Sequence, residues 1–208
     1  MNSLSLNMLP NPSFDVLREP WIPIIFSDGT PSETGILECL EKAHEIRELR
    51  SPAPIIEFGL YRLLISFVLD DLIMEDKWPE NTFDLKELFQ EEKFDIKMIQ
   101  KYIDLCNDVF DLFHPERPFL QTKMDVPEFK AVAGVFPVTP SGSNANFWHH
   151  QHEDEISLSP AEAARILTTI APFMTAGGSG LSRSINGDPP LYALPTGHNL
   201  FETILFNI

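Results

Sequence analysis

Apolar positions recur along the chain with two periods, and the predicted elements follow from them. Between Val16 and Phe26 they crowd around Pro20 and Pro23, which predicts a strand-rich start with prolines at an edge or bend. Asp28-Gly29 reads as a hairpin turn. Thr34–Leu37 is the expected return strand, leading into a short helix over Leu37–Leu49. Pro54–Met74 is apolar on most faces, which marks a core helix. Met98, Ile99, Tyr102, Ile103, Cys106, Val109, Phe110 and Phe113 repeat at helical spacing, and Pro115 and Pro118 stop that helix. Ser159-Pro160-Ala161-Glu162 combines an N-cap serine, a proline at the first helical position and a glutamate at the third. The helix it starts runs toward Ala171, where Pro172 and the following glycines end it. Asn199 to Glu202 repeats the capping arrangement for a last helix, and a strand is expected at Leu191–Leu194.

Length and composition narrow the class. A chain of 208 residues can bury a substantial core, and residues 1–208 read as one α+β domain with a small N-terminal sheet, several core helices and long loops. The 18 prolines lack a period, so they punctuate short elements and do not form a disordered tract. Met1–Pro12 is polar and expected to be loosely held. Cys39 and Cys106 are unpatterned, which argues against a disulfide framework or a Cys-rich zinc site and fits a reducing cytoplasm. The N-terminus lacks a basic region followed by an apolar core, so no signal peptide is expected. The longest apolar stretch, Leu63–Leu69, contains Ser66 and falls far short of the ~20 residues a membrane span needs.

Charge changes the functional picture. The formal net charge is -16. Residues 70–112 hold 13 acids against 5 lysines, and residues 125–208 hold 8 acids against Lys130, Arg165 and Arg183. Affinity for a phosphate backbone comes mostly from cations that displace counterions, so the chain alone is expected to bind duplex poorly. Contact with nucleic acid would have to use shape and backbone donors, with basic partners supplying the attraction.

Two segments carry candidate chemistry. Five of the ten glycines fall between Gly177 and Gly197. Glycines bare backbone N–H groups and let a ligand approach closely, so this loop suits a phosphate or a minor groove. It also reads as a helix C-cap followed by an irregular loop. No lysine follows at the spacing of a phosphate-binding loop. Ser141 to His150 places small polar residues before Phe147, Trp148, His149 and His150, which suits an aromatic platform for bases. Equally, Phe147 and Trp148 can pack in the core with the histidines at the surface. His149, His150, His152, Glu153 and Asp154 have metal-binding chemistry but lack the i, i+4 ligand spacing of a helix, so no metal is assigned. His114 and Arg117 sit between prolines and read as a rigid turn joining a helix to Phe119 and Leu120. No nucleophile elbow or Ser/His/Asp motif is present, so no catalytic residue is assigned, and no cofactor.

The order of motifs resembles the CasA family, the large subunit of the type I-E CRISPR surveillance complex, Cascade. The matching tracts are Leu17-Arg18-Glu19-Pro20-Trp21-Ile22-Pro23, the run from His114 to Lys123, Asn144 to His150, Ala176 to Gly180, and Asn199-Leu200-Phe201-Glu202-Thr203. The family continues well past the position of Ile208 into a terminal four-helix bundle, so the chain is expected to correspond to an N-terminal portion. The resemblance implies a non-enzymatic, cytoplasmic subunit in antiviral defence. Its implied partners are guide RNA, Cascade backbone subunits, target double-stranded DNA and a recruited helicase-nuclease, with no membrane. It implies that Gly177, Gly178, Ser179 and Gly180, with Ser182 and Arg183 nearby, contact the protospacer-adjacent motif from the minor groove. It implies that Asn144, Phe147, Trp148, His149 and His150 touch the 5′ end of the guide and neighbouring subunits. Ser179 stands where the family often has glycine. The paired cysteines that some members carry after the guide-facing loop are missing here, so no zinc site transfers. Two other readings of the residues remain: a phosphate- or metal-dependent small-molecule enzyme using the glycine loop and the His/Glu/Asp cluster, and an unrelated interaction module.

Overall fold

Local chemistry sets the first hairpin. Asp28 Oδ1 accepts from the Thr30 amide at 2.8 Å, the Phe26 amide donates to the Thr30 carbonyl at 2.9 Å, and Gly29 takes φ +90°, a conformation that favours glycine. The turn joins β1 (Ile22–Phe26) to β2 (Pro31–Thr34), antiparallel, with Ile22 opposite Thr34 and Ile25 opposite Pro31. The computed structural model describes residues 12–106, 109–122, 157–173 and 192–208.

The return strand is therefore Pro31–Thr34 and not the expected Thr34–Leu37. The tight turn starts the pairing early, and Ile36 N then donates to the Val16 carbonyl at 3.2 Å as α1 begins. α1 (Ile36–Glu41) is short, and the helix expected through Leu49 stops there. Residues 46–49 instead form β3 (Ile46–Leu49), which pairs antiparallel with the free edge of β1 and completes a three-stranded sheet in the order β2-β1-β3. Ile46 and Leu49 are buried and Arg47 is exposed, so a sheet edge outweighs a helical tendency.

α2 (Pro54–Met74) follows expectation, with proline in its first turn. It packs against β3 and against α4 (Ile96–Leu105), α5 (Pro160–Phe173) and α6 (Leu200–Leu205). α3 (Thr82–Gln90) is capped by Asn81, whose Oδ1 accepts from the Phe83 and Asp84 amides at 2.8 and 3.3 Å. α4 ends at Cys106, short of the helix expected to Phe113. Among the described residues beyond it, Asp111 bridges back to Asp15, and Phe110 and Leu112 turn into the core. Described residues 192–194 form no strand, contrary to expectation, while Leu191 lies outside the described residues. The architecture is α+β, a small sheet with several helices, as expected.

One core joins these elements: Trp21, Ile22 and Ile24, then Leu60 and Leu64 of α2, Ile99 and Ile103 of α4, and Leu200 and Ile204 of α6. Asp71 is the exception inside it. It is 4% exposed on α2, and its Oδ1 meets no hydrogen-bond partner among the described residues. It lines a small enclosed cavity of about 30 Å³ with Leu72, Leu88, Phe94 and Phe201. Burial, reinforced by Glu75 and only partly offset by Lys77, pushes its carboxyl up to about 6; Asp95 and Asp70 add to the rise. A carboxyl raised in the folded state destabilises the fold once ionised, so this cost is absent below about pH 4 and grows as pH rises toward and past 6. Asp71→Asn is expected to remove about 1–2 kcal/mol of that cost, less than the full shift implies because charged neighbours and solvent screen it. Thermal melts should show a Tm gain of roughly 2–8 °C at pH 7–8 that vanishes by about pH 4. A pH-independent gap would refute the buried charge as its cause.

Candidate nucleic-acid interface

The residues expected to touch nucleic acid lie in two segments flanked by described elements. Gly177, Gly178, Ser179, Gly180, Ser182 and Arg183 lie outside the described residues, as do Asn144, Phe147, Trp148, His149 and His150, and the cluster of His152, Glu153 and Asp154. The structure describes the supports on either side of those segments.

α5 leads into segment 174–191. Its start is the expected capping box: Glu162 N donates to Ser159 Oγ at 3.3 Å, and Ser159 N donates to Glu162 Oε2 at 2.8 Å. Hydrogen bonds from Ser159 hold the Glu162 carboxyl below the usual range. The helix runs through Pro172 to Phe173, two residues further than expected. Pro172 has no N–H, so the Thr168 carbonyl loses its helical partner. That carbonyl faces Gly59 of α2, where a Cβ would lie 2.9 Å from it and 2.5 Å from Thr168 Oγ1. α2 and α5 approach closely because position 59 has no side chain. A glycine inside a long helical run is the sequence signal for such an approach.

Arg165 anchors α5 to the sheet. Its Nε donates to the Trp21 carbonyl at 2.6 Å, and its guanidinium pairs with Glu33 of β2. At the far end, Phe173 and the re-entering Tyr192 close on Phe58 of α2. Phe58 stacks on Tyr192 with ring centres 4.5 Å apart and meets Phe173 edge-on at 5.5 Å. Tyr192 also meets Phe173 edge-on at 5.6 Å and donates its hydroxyl to the Pro172 carbonyl at 2.7 Å. Segment 174–191 therefore departs from and returns to one fixed aromatic base. The sequence reading missed this base, because Phe58, Phe173 and Tyr192 are distant in the chain and none stands in a motif.

The second segment, 123–156, departs from the tract that begins at His114. Asp111 organises its root. Its carboxylate accepts from Ser13 Oγ at 2.6 Å and from the Phe113 and Phe14 amides at 2.8 and 3.3 Å. Burial acts to raise the Asp111 carboxyl, but these hydrogen bonds outweigh it and hold it below the usual range. His114 Nδ1 accepts from the amides of Glu116 and Arg117 at 3.2 and 2.9 Å, which closes a turn between the prolines. Phe119 inserts edge-on against Trp21 at 6.1 Å, while Leu120 stands exposed with φ +54°. Gln121 Nε2 donates to the Leu112 and Phe119 carbonyls at 3.0 and 3.3 Å.

Trp21 links the two roots. It is fully buried, donates Nε1 to the Val16 carbonyl at 2.7 Å, meets Phe119 and receives Arg165. The last helix closes the frame, with Asn199 Oδ1 accepting from Glu202 N and Glu202 Oε2 accepting from His198 N, both at 2.8 Å. Among the described residues, no group of three or more His, Cys, Asp or Glu is placed to hold a metal, and no helix is long and apolar enough to cross a membrane. Burial pushes the Cys39 thiol up to about 12, which leaves it a poor nucleophile.

The family model for CRISPR-associated protein Cse1 matches residues 15–208. The chain belongs to the Cse1 family. The CRISPR-associated protein CasA/Cse1 of Thermus thermophilus is 34% identical over 203 residues, which cover 94% of this chain and 39% of that protein. The crystal structure of Thermobifida fusca Cse1 superposes with a TM-score of 0.73 at 28% identity, covering 94% of this chain and 39% of that one. A chain of a CRISPR RNA-guided surveillance complex superposes with a TM-score of 0.74 at 26% identity, covering 95% of this chain and 44% of that one. The chain thus spans 39% of the length of the curated Cse1 relative it matches.

Proposed function

We propose that this Cse1-family chain works as a non-catalytic, cytoplasmic subunit of a CRISPR RNA-guided DNA surveillance complex. Segment 174–191 presses against the minor groove at the protospacer-adjacent motif, with Gly177, Gly178, Ser179 and Gly180 at the closest approach and Ser182 and Arg183 toward phosphate. Asn144, Phe147, Trp148, His149 and His150 meet the 5′ end of the guide RNA and adjoining subunits, and the assembled subunit helps recruit the helicase-nuclease. The observation that carries this reading is the family match over residues 15–208. The aromatic base at Phe58, Phe173 and Tyr192 supports it physically, because a loop held at both ends loses less freedom when it docks.

With a net charge of -16 the chain cannot supply the attraction itself. Basic partner subunits hold the duplex, and backbone amides inspect a groove whose few donors are best read by shape. Guide pairing then supplies sequence specificity.

The test is Gly177→Leu with Gly178→Leu in the assembled complex. Motif-dependent affinity is expected to fall about tenfold, the loss of one good groove contact, with motif-independent binding unchanged. Unaltered motif dependence would reduce the loop to a helix cap.

A further inference from the structure

The end of α2 and the whole of α3 form a surface that the nucleic-acid reading does not use. Past Met74 the chain reverses at Asp76, with φ 56°, and Lys77 N donates to the Leu72 carbonyl at 2.9 Å. Asn81 then starts α3, which has no fully buried residue. Between the two elements lies an open groove of about 780 Å³. Its apolar lining is Ile73, Trp78 and Leu88, and its rim is Asp76, Glu80, Asp84, Glu87 and Glu91. Lys77 is the one cation among the described residues that line it. Ile73 is 55% exposed and Trp78 42%.

Ile73 and Trp78 offer exposed apolar contact inside an otherwise acidic groove. The groove also adjoins the enclosed cavity of Asp71 through Lys77, Leu88 and Glu91, which line both. Asp71 is more than nine-tenths buried there, with Oδ1 unpartnered among the described residues. The negative charge of the groove comes from the carboxylates on its rim.

Charge decides what fits. Nucleic acid and anionic lipid surfaces are repelled by this rim, and a second copy of a chain carrying -16 brings the same sign. The complementary object is a protein segment that is apolar along one stripe and cationic along the other. α3 runs for nine residues, about 13 Å, so two to three turns of a partner helix match its length. We propose that the groove between the end of α2 and α3 is a docking site for a basic amphipathic helix of a protein partner.

Fluorescence anisotropy with the full chain tests this directly. The probe is a labelled helical peptide of about 14 residues, with leucine at i, i+3, i+4 and i+7 and lysine elsewhere. One comparator replaces lysine by glutamate, and the other replaces leucine by serine. The Lys/Leu peptide is expected to bind at least about tenfold tighter than either. Trp78→Ser, and separately the pair Glu80→Lys and Glu87→Lys, should each weaken it about tenfold, as truncation of a central contact does. Trp78→Phe should retain binding. The remote pair Glu19→Lys and Glu41→Lys, with the same change in net charge, should leave affinity within about twofold. These positions are all exposed, so circular dichroism melts should match the parent. Equal weakening by the remote pair would reduce the effect to general attraction. Indifference to Trp78→Ser, or equal binding of the glutamate peptide, would overturn the site.

Discussion

Trp21→Ala is expected to destabilise the fold by about 3–5 kcal/mol, the range for removing a large buried aromatic. The indole is fully buried, so its loss leaves a cavity that the sheet and α2 cannot fill without moving. The Nε1 hydrogen bond to the Val16 carbonyl is lost too, and Phe119 loses the ring it meets edge-on. Phe119 stands just before segment 123–156, and Arg165 reaches the Trp21 backbone from the helix that leads into segment 174–191. Calorimetry should show Tm lower by roughly 6–20 °C. Because both roots meet at Trp21, binding of guide and of motif-bearing duplex by the assembled complex should fall together. A melting temperature within about 3 °C of the parent would show that the indole is not a keystone.

Gly59→Leu attacks the second contact. A Cβ at position 59 already stands 2.5 Å from Thr168 Oγ1 and 2.9 Å from the Thr168 carbonyl, and the carbonyl is backbone that cannot rotate away. Helix propensity favours alanine over glycine by up to ~1 kcal/mol, while overpacking of this kind costs ~1–3 kcal/mol, so Gly59→Ala is expected to lower stability slightly. Leucine adds volume that forces α5 outward, and the expected loss is about 3 kcal/mol or more, with Tm lower by roughly 6–12 °C. Displacing α5 also separates Phe173 from Phe58, so motif-dependent binding should weaken beyond what unfolding explains. A variant as stable as the parent would mean that the two helices do not need bare backbone at their crossing.

How far the fold was readable depended on how local each cause was. α2 announced itself because apolar residues surround it for 21 residues and a proline opens it. The starts of α5 and α6 were readable because a capping residue and its partner amide lie within one turn. β3 was not readable: Ile-Arg-Glu-Leu suits a helix as well as a strand, and the unpaired edge of β1 decides between them. α4 stopped early for a similar reason. The helical spacing continues to Phe113, but Asp111 is held by Ser13 and Phe14 from the other end of the chain. α3 escaped the sequence reading because it is mostly polar and buries no residue completely. The candidate interface was readable only as a glycine run and an aromatic tract, and both fall outside the described residues. Its aromatic base was hidden, since nothing in the sequence brings Phe58, Phe173 and Tyr192 together.

Composition and motif order by themselves determined the class of the chain: an anionic α+β protein of the Cse1 family. They also determined the elements whose signals are complete within a turn or two, because capping, tight turns and all-round apolarity act over a few residues. Tertiary structure decided where strands end, which helix stops early and how the two long segments are rooted. Those outcomes rest on contacts between residues far apart in sequence, such as Trp21 with Arg165 and Gly59 with Thr168. Such contacts exist only once the whole core has closed, and their energies then override local preference.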